Sequence, residues 1–392
     1  MKEVHTFEEL EARLGSAQGL ADLVVQDVNV AGLEDRLGKA PVQGTVFLGC
    51  NIAPELVAKL HSGGALVFPD IPTLPFNPYR NALYSPEELF SGFVPGDPCS
   101  YCKTLDAVVY RHWETTGRSA PPNLLEALAR RLHDHAITDA TIDFLAAIKS
   151  TCRGRVAIMG GHSMLRSDAE FLDVCRISKE LSEAGYLLLS GGGPGAMEAT
   201  HVGASLAHRG DQELRETVSA LAKAPHYRDR DWLSQGLQVK ATLESAGTLG
   251  SSLAIPTWLY GHEPPTPFAR HIAKYFSNSV REEGLVTLAS EGIIFAPGSA
   301  GTIQEVFQDA TQNHYATTGV VSPMVFLGVE FWTQTKPVFP LLEQLAQGED
   351  YAQLLTVVDG VDAAVDFIKS HPPVAGGAGD WSFCRAHCDE NS

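Results

Sequence analysis

Gly292-Ile293-Ile294-Phe295-Ala296-Pro297-Gly298-Ser299-Ala300-Gly301-Thr302-Ile303-Gln304-Glu305 is the stretch whose reading decides the fold. Its first residues are apolar and β-branched or aromatic, the pattern of a strand buried on both faces. Pro297 ends the strand, small residues turn the chain, and a helix opens directly behind them. A helix start leaves free N–H groups and the positive end of the dipole, and small residues let an anion come close. Thr302 is placed to add its hydroxyl, and Glu305 falls about one turn in, facing whatever the turn holds. A local reading fits the same residues: Thr302 and Glu305 as a capping-box-like pair that only satisfies the helix start.

Outward from this stretch the same rhythm repeats. Tyr186-Leu187-Leu188-Leu189-Ser190 is a buried strand that runs into Gly191-Gly192-Gly193-Pro194-Gly195-Ala196, and Val156-Ala157-Ile158-Met159 runs into Gly160-Gly161-His162-Ser163. Helical spacing covers Ser167–Ala184, a strand lies near Leu253–Trp258, and a long helix is expected from Pro267 to about Ser290. Met324–Gly328 begins another strand–helix pair. Apolar strands alternating with helices imply an α/β, Rossmann-like, doubly wound parallel sheet covered on both faces. The glycine turns then lie at the carboxyl edge of the sheet, where such folds bind ligands. Gly191, Gly193 and Ala196 also match dinucleotide-site spacing, but that site wants an acidic residue about 20 residues on, at the end of the next strand. Arg209-Gly210-Asp211-Gln212-Glu213-Leu214-Arg215 stands there instead and reads as a loop entering a helix, which disfavours an NAD(P)-dependent oxidoreductase.

The first 150 residues are less regular. Strand-like runs at Ala21–Val25, Gly44–Leu48 and Ala65–Phe68 alternate with helical spacing at Val28–Leu37 and Pro54–His61, a smaller α/β unit. Four prolines in Pro69–Tyr79 make an ordered loop, and a helix runs from Pro122 to about Ser150. The basic break Thr151-Cys152-Arg153-Gly154-Arg155 marks the expected domain boundary. The expected organisation is an N-terminal α/β and helical unit over 1–150, a catalytic domain over 151–371 and an irregular tail over 372–392. The N-terminal unit reads as a degenerate second α/β unit that supports oligomerisation or binds a regulatory ligand.

The composition bounds the function. The 392 residues carry a net charge of −18, which repels nucleic acid and anionic membrane surfaces. No apolar run approaches the ~18 residues of a membrane span, and the polar start Met1-Lys2-Glu3-Val4-His5 is no secretory signal. A cytoplasmic protein with reduced thiols is expected. Cys99-Ser100-Tyr101-Cys102 and Cys384-Arg385-Ala386-His387-Cys388 hold enough soft ligands for a zinc, but they lie far apart in sequence and read better as independent thiols.

Several other segments admit two readings. Trp258–Pro265 follows a strand at the ligand edge, so its aromatic rings either stack on a base or anchor the loop. His226–Trp232 is a lid or a subunit contact. His271 and Lys274 read as the polar edge of the expected helix, with Ile272, Tyr275 and Phe276 toward the core, and Asn313-His314-Tyr315 as the cap of the motif helix.

Gly191–Ala199 together with Pro297–Glu305 resembles the LOG family, whose signature is PGGxGTxxE and whose members were formerly taken for lysine decarboxylases. The similarity spans roughly Arg155 to Gly328. It implies a nucleoside 5′-monophosphate phosphoribohydrolase: an N-glycosyl hydrolase that yields free base and ribose 5-phosphate, without metal or redox cofactor, as a homodimer or larger homo-oligomer. By this resemblance Gly298, Ser299, Ala300, Gly301 and Thr302 bind the 5′-phosphate and Glu305 is the catalytic carboxylate. Gly160, Gly161, Ser163, Gly191, Gly192, Gly193, Gly195, Met197 and Glu198 complete the nucleotide pocket. Arg281 is the best match to the family's catalytic arginine, against the plainer reading that it pairs with Glu282 or Glu283. The chain departs from the signature at Ser299, where glycine is usual, and at Gln304, where many members carry a second glutamate. A non-catalytic nucleotide sensor on the same fold is the alternative that these departures keep open.

Overall fold

The computed structural model describes residues 2–16 and 18–376. Its contacts divide the chain into two units. Residues up to Leu83, Ala107–Ala146 and Ala273–Ser277 form the first; Tyr84–Asp106, Ala147–Ile272 and the residues from Asn278 on form the second.

The first unit is built on four parallel strands in sequential order, β1 (Lys2–Val4), β2 (Leu23–Gln26), β3 (Val46–Leu48) and β4 (Leu66–Phe68). The connections carry the helices α1 (Phe7–Leu14), α2 (Glu34–Leu37) and α3 (Pro54–Ser62). Val4, Leu10, Val25, Leu37, Phe47, Leu56 and Leu60 form the core of this layer. The proline-rich loop after β4 is closed by Tyr79, whose hydroxyl donates to Pro69 O at 3.0 Å. The chain visits the second unit for the short helix α4 (Pro86–Leu89), then forms α5 (Leu105–Thr115) and the 25-residue α6 (Leu124–Ile148). Helical spacing over Val28–Leu37 yields helix only from Glu34, because Val28, Val30 and Leu33 are buried by a loop rather than by a helix face.

The second unit holds a seven-stranded, all-parallel sheet. Its strands are β5 (Gly154–Met159), β6 (Tyr186–Ser190), β7 (Ser252–Ala254), β8 (His271–Ile272), β9 (Ile293–Phe295), β11 (Met324–Leu327) and β12 (Leu355–Val358), while β10 (Val320–Val321) pairs separately with β13 (Val374–Ala375). The spatial order is β12-β11-β9-β5-β6-β7-β8. Successive strands are added on one side of β5 up to β8 and then on the other from β9, so the winding reverses between β5 and β9. This is the topological switch point of a doubly wound sheet. The connecting helices are α7 (Ala169–Glu183), α8 (Ala196–Ser205), α9 (Asp211–Leu221), α10 (Trp232–Ala246), α11 (Asn278–Leu288), α12 (Ala300–His314), α13 (Phe339–Leu345) and α14 (Val361–Ser370). Val156, Ile158, Leu188, Ile294 and Val325 join one core cluster with residues of α7, α8 and α14. The alternate positions Ala157, Met159, Leu189, Ile293, Phe295 and Phe326 are equally buried, as strands covered on both faces require.

The expected long helix from Pro267 to Ser290 is not formed. Residues 266–277 are an extended segment containing β8, which pairs with β7 and takes an antiparallel bridge from Tyr84; helix begins only at Asn278. Nearly every side chain from Thr266 to Phe276 is buried, so no amphipathic period is left to distinguish strand from helix. Lys274 is accordingly buried rather than on a polar helix edge. Asn313 does more than close the motif helix: its amide donates to Ser322 O at 3.2 Å and accepts from Ser322 N at 2.8 Å, clamping the approach to β11. Among the described residues no helix is long and apolar enough to cross a membrane. Cys384, His387 and Cys388, with the tail from residue 377 on, lie outside the described residues, while Cys99 and Cys102 are exposed on a 3-10 turn over Pro98–Lys103.

Candidate functional site

Three of the glycine-bearing turns at the carboxyl edge are fastened to one another. Gly161 N donates to Pro297 O at 3.1 Å and Ala196 N donates to Gly161 O at 3.2 Å, so the turn after β5 links those after β9 and β6. The close approach depends on missing side chains. A Cβ on Gly195, at φ 72°, would lie 2.4 Å from Gly161 O, and one on Gly298 would lie 2.1 Å from Thr302 Oγ1. The turns thus open a cavity of about 400 Å³ beside the switch point.

Most of the residues singled out from sequence meet there. Gly160, Gly161 and Ser163 line the cavity from the turn after β5, and Gly191, Gly193 and Met197 from the turn after β6. Ser299, Ala300, Gly301, Thr302 and Glu305 line it from α12, and Arg281 from α11. Gly192, Gly195 and Gly298 shape the turns without reaching the cavity surface. Glu198 is a correction: it points away from the cavity and is fully buried against Arg166. Its carboxylate accepts from Arg166 Nε at 2.9 Å and from Nη2 at 2.5 Å, while the guanidinium lies over the Trp232 ring. That bidentate pair is structural; it ties α8 to the loop before α7.

The motif helix does not cap itself. Ser299 is its N-cap residue and makes no side-chain cap bond, and Glu305 turns to Arg281 instead. Arg281 Nη1 is 3.3 Å from Glu305 Oε1, and Nη2 is 2.7 Å from Glu282 Oε1 and 3.1 Å from Asn278 Oδ1. The plainer reading of Arg281 from sequence is met, since it pairs with its neighbour Glu282, and it also reaches the motif glutamate. Burial pushes the Glu305 carboxyl up to about 8, Arg281 pulls it down, and Glu282 pushes it up again. One turn further along α12, Asp309 is buried with neither carboxyl oxygen hydrogen-bonded, and burial alone holds it well above the usual carboxylate range.

Sequence reading missed several groups here. Lys336 reaches under the motif turn, its Nζ donating to Gly298 O at 2.5 Å and lying 3.4 Å from Ser299 Oγ. Glu263, from the loop after β7, lines the same cavity, with Oε1 3.4 Å from His162 Nδ1 and 3.8 Å from His262 Nε2; burial raises its carboxyl, and the charges of His162, His262, Arg228 and Arg281 act the other way. In that loop Trp258 is the anchor, fully buried edge-on to Tyr84, whereas Tyr260 lines the cavity with its side chain partly exposed. The His226–Trp232 segment reaches the site through Tyr227, which meets the His162 ring edge-on. A charged residue before a proline pair, as in His262-Glu263-Pro264-Pro265, was the available signal for Glu263; nothing local marks Lys336.

No family model matches the chain, and no curated protein matches it. Among solved structures it is similar to a molybdenum cofactor binding protein from the phototrophic bacterium Rippkaea orientalis, at 14% identity over 55% of this chain and 96% of that one, with a TM-score of 0.34. A molybdenum cofactor carrier protein from Chlamydomonas reinhardtii matches at 16% identity over 55% of this chain and 96% of that one, with a TM-score of 0.33. At such identities and scores the likeness carries no statement about ligand or activity.

Proposed function

We propose that the cavity binds a nucleoside 5′-monophosphate and hydrolyses its N-glycosidic bond. The observation that carries this reading is Glu305: a buried carboxyl on the cavity wall, pushed up to about 8 by that burial, one turn into a helix whose uncapped start faces the same space. The phosphate takes the free N–H groups at Ala300–Thr302 and the Thr302 hydroxyl, with Lys336 behind the turn adding positive charge. Bond cleavage builds oxocarbenium character on the ribose, and the departing base needs a proton. Glu305 gives its proton to the base nitrogen that takes the C–N electron pair; water oxygen then bonds to C1′ and returns a proton to Glu305. The products are free base and ribose 5-phosphate, and Glu305 ends as it began. Because the active form carries that proton, turnover falls as pH rises through about 8.

The resemblance to the LOG family extends the proposal to a cytoplasmic homo-oligomer that needs no metal or redox cofactor and binds neither nucleic acid nor membrane. The test is release of ribose 5-phosphate from AMP, GMP, IMP, CMP, UMP and dAMP, with Glu305→Ala alongside. Turnover that drops by about 10²- to 10⁴-fold in the variant supports the hydrolase. No release from any of them, with nucleotide binding still seen by calorimetry, overturns it in favour of a nucleotide sensor.

A further inference from the structure

Arg281, Glu282 and Glu305 form a closed group on the cavity wall, and each is at least nine-tenths buried. One guanidinium faces two carboxyls, at 2.7 Å for Glu282 and 3.3 Å for Glu305. Charge sets how many protons the group holds. With both acids ionised the group would bury one unpaired negative charge; with one proton it is neutral. Asn278 fixes which acid takes the arginine, since its Oδ1 accepts from Arg281 Nη2 at 3.1 Å and its Nδ2 donates to Glu282 Oε1 at 3.3 Å. Glu282 is thereby held as the nearer partner of Arg281, at 2.7 Å against 3.3 Å for Glu305.

We infer that Glu282 is the positioning residue that keeps Glu305 in its proton-bearing form, so that the acid of the site is a pair sharing one proton rather than a lone glutamate. Occupying Arg281, Glu282 denies Glu305 a full counter-charge, and its own negative charge opposes a second one beside it. The other charged groups around Glu305 leave this logic intact. Asp309 follows on its own helix, where burial raises its carboxyl well above the usual range, and Glu263, with His162 and His262 beside it, lines the same cavity as a third acid that feels the Arg281 charge. The kinetic consequence rests on the hydrolase reading; the shared proton does not.

Glu282→Gln removes the competing charge and frees Arg281 for Glu305. The full-length protein with ¹³C-labelled glutamate side chains should show one carboxyl titrating near 8, absent in Glu305→Gln. In Glu282→Gln that titration moves down by about one pH unit or more, about a tenfold change in proton affinity. In turnover, the falling limb of the pH profile moves down with it, while Glu282→Asp, which keeps the charge, leaves the limb near its original position. A titration and limb that stay in place in Glu282→Gln overturn the inference, as does an upward move. Should the wild type release no ribose 5-phosphate, the hydrolase reading fails while the carboxyl titration still decides the pair.

Discussion

The two larger sheets among the described residues, of four and seven strands, are both parallel, and both feed helices from their strand ends, yet they use the third helical residue in opposite ways. In the first unit Thr6 caps α1: its hydroxyl accepts from Glu9 N at 3.2 Å, and Glu9 reaches back to the backbone N–H groups of Thr6 and His5. That helix start is satisfied by its own side chains. In the second unit the same position in α8 is Glu198, which ignores its own helix start and pairs with Arg166; in α12 it is Thr302, which borders the cavity. The contrast teaches that a parallel sheet does not make a site. What sets the candidate site apart is a helix start left uncapped, behind a turn without side chains, with an acid buried beside it.

Buried aspartates repeat the contrast. Asp134, on α6, accepts from Phe276 N at 2.8 Å and Ser277 N at 2.7 Å. Asp309, on α12, accepts from nothing.

Substitutions at these matched positions test the comparison. The largest stability effect is expected from Glu198→Ala, which leaves Arg166 charged and buried without a partner; a loss of ~3–5 kcal/mol in denaturant unfolding is expected. A loss under about 1 kcal/mol would mean that the pair is not structural. Asp309→Asn acts in the other direction. The unfolded chain ionises this aspartate in the ordinary carboxylate range while the folded chain keeps it protonated, so the native state binds more protons and loses stability as pH rises. The variant should therefore raise Tm at pH 8 and leave it nearly unchanged at pH 4. Equal shifts at both would show that the aspartate has no such cost. Thr6→Ala is the smallest, ~1 kcal/mol from the lost cap.

How much was legible in the sequence follows from how local each signal is. The strands Val156–Met159 and Tyr186–Ser190 and the turns after them could be read because an apolar run followed by glycine needs no partner to be recognised. Glu305 and Arg281 could be placed together only through the family resemblance. The Arg281–Glu282 pair can be read from adjacency, whereas their approach to Glu305 is a matter of two helices packing side by side, which no spacing records. Residues 266–277 were misread because burial on all sides erases periodicity. The start of the chain was missed for a different reason: β1 is three residues long, although Thr6-Phe7-Glu8-Glu9 carries a capping box that names the helix behind it.

The division of the chain bears on the order in which it can be made. Between Leu83 and Asn278 the backbone passes from one unit to the other five times. The last piece of the first unit, Ala273–Ser277, supplies both N–H groups to Asp134 and the Phe276 ring that packs with Phe76 and His133. A ribosome that has finished α6 has therefore not yet delivered what completes that unit, and must add more than a hundred further residues before it does. During that interval Asp134, Phe76 and His133 wait for the segment that binds and packs against them, and a chain cut near residue 150 would lack it permanently.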